Sequence, residues 1–129
     1  DFYLSFTGAY DALHARGSQV ATLAGTFHPA TDPDSEVVTI DANGVVFSQN
    51  ATTGCVVNGS IKAFDSDYNV YRLDLTYSSC RAAAVVLNGR SAEGLGYFDS
   101  TKNPAVLFIA LDVLGSEQHY SIVRTLIRK

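Results

Sequence analysis

A chain of 129 residues and 13.8 kDa, 47% hydrophobic and 17% charged, carries enough apolar surface for one buried core, which argues against disorder and against two independent domains. Nine Lys and Arg against thirteen Asp and Glu give a net charge of -4, and the basic residues are scattered apart from Arg124, Arg128 and Lys129, so no stripe neutralises a run of phosphates and nucleic acid is not expected as a partner. The longest apolar run, 105–111, falls far short of the roughly 20 residues of a transmembrane helix, and the residues from Asp1 onward lack a charged, then apolar, leader, so the chain reads as a mature form.

Apolar residues recur at period two through most of the chain, which predicts an antiparallel meander. In chain order the expected strands are 2–6, 20–27, 36–41, 45–48, 55–64, 70–77, 82–87, 92–98, 105–113 and 120–127. Between the first two, Asp11 as a cap, the helix formers Ala12, Leu13, Ala15 and Arg16, and the stop at Gly17 predict one short helix over 9–16 that covers an open end or edge of the sheet. Asn43-Gly44 supplies the positive φ angles of a tight hairpin, and Asn88-Gly89 repeats the device. Residues 100–104 and 115–118 close the remaining hairpins. Ten short strands in a chain of this size curl into a barrel or split into two sheets, and Gly59, Gly94 and Gly96 inside strand patterns favour the sharply bent, closed barrel.

Cys55 and Cys80 are the only cysteines, and they either bridge or stand as separate buried thiols. The turn 65–69 lies midway between them, so the strands folding about it bring the two close. Placing Ile61 and Ala63 on one face with Tyr71, Leu73, Leu75 and Tyr77 requires cross-strand numbers with an even sum, whereas Cys55 and Cys80 sum to an odd number. A bridge therefore needs a bulge or strand end, for which Ser78-Ser79 is the natural place. We expect the disulfide, which would contribute about 3–4 kcal/mol by restricting the unfolded chain and implies a periplasmic, surface or secreted location.

No catalytic or metal constellation emerges. His14, His28 and His119 lie in different elements with no ligand spacing. Asp65-Ser66-Asp67-Tyr68-Asn69 begins like a calcium loop, but Val70 stands where Gly is required and Thr76 where the bidentate Glu belongs. Gly89-Arg90-Ser91-Ala92-Glu93-Gly94 misses the nucleophile-elbow spacing by one residue. Asn50-Ala51-Thr52 and Asn58-Gly59-Ser60 match the N-glycosylation pattern, which matters only in a eukaryotic secretory pathway. Neither enzyme activity nor a cofactor is expected.

Two surfaces remain. Asp32, Asp34 and Glu36 around Pro33, together with Asp65, Asp67 and Tyr68, suggest acidic loops that dock a basic protein partner. Tyr71, Leu73, Leu75 and Tyr77 share one inward face that either fills the barrel, the favoured reading, or lines a cavity for a small apolar ligand. Strand 105–113 is apolar on both faces, which makes Val106 and Phe108 candidates for contact with a second copy or for cover by the short helix.

The stretches Leu23-Ala24-Gly25-Thr26-Phe27, Val38-Thr39-Ile40-Asp41-Ala42-Asn43-Gly44, Gly54-Cys55, Asn58-Gly59-Ser60-Ile61, Asn69-Val70-Tyr71, Cys80 and Gly94-Leu95-Gly96-Tyr97 resemble short Gram-negative envelope proteins, frequently lipoproteins, with a calycin-like barrel. That resemblance implies an antiparallel barrel, a Cys55–Cys80 bridge and a periplasmic or outer-membrane home, without implying an activity. The lipidated cysteine of such proteins has no counterpart here. Similar small envelope barrels include inhibitors and toxin-immunity proteins, so the expected function is a non-catalytic protein-binding module, with a lipocalin-like carrier as the alternative.

Overall fold

A computed structural model describes residues 19–65, 67–114 and 120–129. Its eight strands are β1 (Gly25–Pro29), β2 (Glu36–Ile40), β3 (Val45–Asn50), β4 (Val56–Asp65), β5 (Val70–Ser78), β6 (Ser91–Asp99), β7 (Val106–Val113) and β8 (Tyr120–Arg128). Each pairs antiparallel with the next, and β8 pairs back onto β1, so the sheet is a closed barrel without a free edge. The expected strand 2–6, the helix 9–16 and the turn 115–118 lie outside the described residues.

Two expected strand segments are 3₁₀ turns instead. Val20–Leu23 crosses one end of the barrel, where Leu23 is fully buried as a plug, and the strand starts only at Gly25. Ala82–Leu87 is a 3₁₀ turn at the other end. Three consecutive alanines there offer little β preference. The segment also closes on itself, since Cys80 N–H donates to Asn88 Oδ1 at 2.7 Å and Asn88 Nδ2 donates to Cys80 O at 3.0 Å. Asn88-Gly89 therefore ends a turn and does not join two strands.

The hairpin between β2 and β3 also departs from expectation. Gly44 has φ 85, but Asn43 is not left-handed. Gly44 N–H donates to Asp41 O, and Asp41 Oδ1 accepts from the N–H groups of Asn43 and Val45, giving a type I turn followed by a left-handed glycine.

The even-sum register between β4 and β5 is present, with Ile61 opposite Leu73 and Ala63 opposite Tyr71. The last regular pair towards the cysteines is Val56 with Ser78. Ser79 then takes a left-handed φ of 59, which carries Cys80 off the ladder and onto Cys55, and the two are disulfide-bonded. On the outer face Phe108 stacks on its cross-strand neighbour Tyr97 with ring centroids 4.7 Å apart, while Val106 is buried.

The barrel is packed solid at the end crossed by Val20–Leu23. Leu23, Phe27, Ile61 and Tyr71 are among its largest fully buried side chains. The Tyr71 hydroxyl accepts the N–H of Gln19 at 3.0 Å, and the Arg128 guanidinium lies over the rings of Phe27 and Phe98 while donating to Thr22 O. We call this the closed end and the opposite one the mouth.

Candidate ligand site

Alternation along each strand decides what enters the barrel. On β2 the inward positions are Glu36, Val38 and Ile40, and on β3 they include Val46 and Ser48. On β5 they are Tyr71, Leu73, Leu75 and Tyr77. Towards the mouth these side chains, with others from β4, β7 and β8, surround a cavity of about 180 Å³. The wall spans five residues of β2, from Glu36 to Ile40, or about 13 Å at the usual strand rise. A cavity of this order is large enough for a small apolar ring. The interior is thus plugged at the closed end by Leu23, Phe27, Ile61 and Tyr71 and hollow from the mouth down to Ile40, Val46 and Leu107, so of the two alternatives the barrel has a cavity and is not simply filled. Ala84 and Leu87 of the second turn border the hollow.

Most of the wall is aliphatic, including Val57, Leu75, Ile109 and Leu111, and its polar groups gather near the mouth. Glu36, only 7% exposed, accepts from Arg124 Nη2 on Oε1 at 2.5 Å and from Ser48 Oγ on Oε2. The reason for this buried pair lies in the seam of the barrel. The β1–β2 ladder stops at Phe27 opposite Val38, and the β1–β8 ladder stops at Pro29 opposite Leu126, so Glu36 and Arg124 link β2 to β8 beyond the end of β1. Arg124 is 31% exposed, and Glu36 is its only ion-pair or hydrogen-bond partner among the described residues.

Tyr77 lies on the wall opposite that seam and is 8% exposed. Its hydroxyl makes no hydrogen bond among the described residues and keeps some exposure in the cavity. Burial pushes its pKa above the ordinary phenol value, with Arg124 pulling it down and Glu36 pushing it up by smaller amounts. The hydroxyl therefore stays protonated at neutral pH and is a donor available to a guest. Asn50 at the mouth is held by the N–H groups of Thr52 and Thr53, both 2.9 Å from Oδ1.

The residues singled out in the sequence divide accordingly. Leu73, Leu75 and Tyr77 line the cavity, whereas Tyr71 packs in the closed end. Glu36 is not an exposed docking residue: it shares parity with Val38 and Ile40 and points inward. Asp32 and Asp34 are exposed in the β1–β2 connection at the mouth, while Asp65 ends β4 and the exposed Asp67 and Tyr68 follow it at the closed end. Consecutive hairpins of a meander alternate between ends, so the two acidic loops do not form one surface. Ser48 and Arg124 were missed, although each stands in phase with inward apolar neighbours, Val46 for the first and Ile122 and Leu126 for the second. Among the described residues no three His, Cys, Asp or Glu gather to hold a metal, and His28 Nδ1 lies 3.0 Å from Pro29 O.

Comparison with protein-family models, with curated proteins and with solved structures finds no match to this chain.

Proposed function

We propose that this protein is a non-catalytic carrier of a small amphipathic molecule, taken through the mouth into the hollow of a calycin-like barrel. The observation that carries this reading is the hollow itself: an aliphatic shaft lined by Tyr77, whose hydroxyl has no hydrogen-bond partner among the described residues, with the Glu36–Arg124 pair near its opening. Binding sites of this kind combine apolar walls with few, placed polar groups. The Cys55–Cys80 bridge supports an oxidising setting, and the sequence resemblance supports the envelope of a Gram-negative cell. Docking of a protein inhibitor target through the acidic loops has weaker support, because Glu36 faces inward and the remaining acidic residues lie at opposite ends.

The test is a titration with N-phenyl-1-naphthylamine, an uncharged dye that brightens in apolar surroundings. Saturable one-to-one brightening is expected for the native protein, and its loss for Leu75→Trp and for Leu111→Trp, each checked for an unchanged circular dichroism spectrum. Equal brightening in the native protein and a folded, cavity-filled variant, or none in either, would overturn the carrier reading.

A further inference from the structure

We infer that the head group of the guest is an uncharged hydrogen-bond acceptor, an alcohol, ester or amide oxygen, and that Glu36 is the residue that turns carboxylates away. This inference rests on the carrier reading. The polar end of the cavity can offer a guest only what its internal bonds leave over.

Both oxygens of Glu36 are engaged, one by Arg124 and the other by Ser48. Arg124 has donors beyond the one used on Glu36, and the Tyr77 hydroxyl has no hydrogen-bond partner among the described residues. Among the described residues the vacant capacity is therefore weighted towards donors, the remaining Arg124 N–H groups and the Tyr77 O–H, which a guest oxygen can accept. A cationic head meets the Arg124 guanidinium, and the one carboxylate beside it is already matched by that arginine.

Charge then separates the two kinds of acceptor. Arg124 alone would attract an anion, but its charge is already matched by a carboxylate in direct contact. A carboxylate guest would lose its water and gain almost no net Coulomb attraction from a neutral pair, with Glu36 repelling it at short range. A neutral oxygen has far less hydration to lose and keeps the hydrogen bonds. The same logic makes the preference switchable, because removing the negative charge at residue 36 leaves Arg124 unmatched beside the cavity.

Displacement of bound N-phenyl-1-naphthylamine by three eight-carbon competitors, octanol, methyl octanoate and octanoate, at about pH 8 tests this, where a carboxylate is fully ionised. For the native protein, octanol and methyl octanoate are expected to compete at least about ten-fold more strongly than octanoate, a difference of about 1.4 kcal/mol. In Glu36→Gln the ratio should shift towards octanoate by a comparable factor, while Tyr77→Phe should weaken all three. Preference for octanoate in the native protein, or an unaltered ratio in a folded Glu36→Gln, overturns the inference while leaving the carrier reading intact. The native comparison stands by itself if Glu36→Gln does not fold. Dye binding that none of the competitors displaces counts against the head-group assignment, whereas absence of dye binding removes the carrier reading beneath it.

Discussion

At Tyr77 the environment of one side chain becomes a measurable property of the whole protein. Burial, with a smaller contribution from Glu36, raises the phenol's pKa, and Arg124 only partly opposes this. In the unfolded chain the phenol ionises near its ordinary value of about 10. Above that pH the unfolded state releases a proton that the folded state retains, so stability falls as pH rises. The contribution is fully present below the unfolded value and is lost as pH climbs through the folded one. Tyr77→Phe should therefore flatten the alkaline decline in Tm above about pH 10 relative to the native protein. Parallel Tm curves for the two proteins would show that the hydroxyl is not held in the environment described. Tyr97, whose pKa is also raised by burial, is present in both proteins and cancels in the comparison.

The connection between β5 and β6 illustrates how an element is held without belonging to the sheet. Ser79 turns the chain outward, the Cys80–Cys55 bond anchors it, and Asn88 clamps the backbone of Cys80 from both sides. Ala84 and Leu87 are thereby set against the cavity while Val85 and Val86 stay exposed. With a sequence separation of 25 between the cysteines, Cys55→Ala/Cys80→Ala should lower the unfolding free energy by about 3.5 kcal/mol through the unfolded chain's regained freedom. Urea denaturation checks this, and a much smaller loss would show that the clamp and the ladder restrain the loop without the bond. An analogous clamp sits at the other end, where Asn69 Nδ2 donates to Phe98 O at 2.6 Å and Phe98 N–H donates to Asn69 Oδ1 at 3.1 Å. In both places an asparagine that reads as a turn residue satisfies buried backbone groups of a neighbouring segment.

For the molecule as a whole, stability depends on joining the first strand to the last. Arg128 lies at that seam, stacked over Phe27 and Phe98 and bonded to Thr22 O of the 3₁₀ turn that seals the closed end. Arg128→Ala should cost about 2 kcal/mol, from the lost stacking and hydrogen bond together, with a lowered urea midpoint and faster amide exchange at residues 22–24. A full-sized loss of stability with unchanged exchange there would place the effect in the barrel wall instead.

Much of this architecture was legible in the chain itself. Period-two alternation gave the strands, and with them the inward parity of Leu73, Leu75 and Tyr77 and the even-sum register that forces a break at Ser78-Ser79. These features are local or involve one hairpin, where the turn and the buried face fix the outcome. The same parity also holds the inward orientation of Glu36, Ser48 and Arg124, but a carboxylate beside Asp32 and Asp34 reads locally as part of an exposed acidic loop. Their meeting was beyond the sequence, because Glu36 and Arg124 are 88 residues apart and touch only when β8 closes onto β1 and β1 ends short of them. The hollow was likewise a tertiary decision: composition supplies the inward side chains, but whether they fill the barrel depends on how far the walls stand apart and on which end the crossing turn plugs.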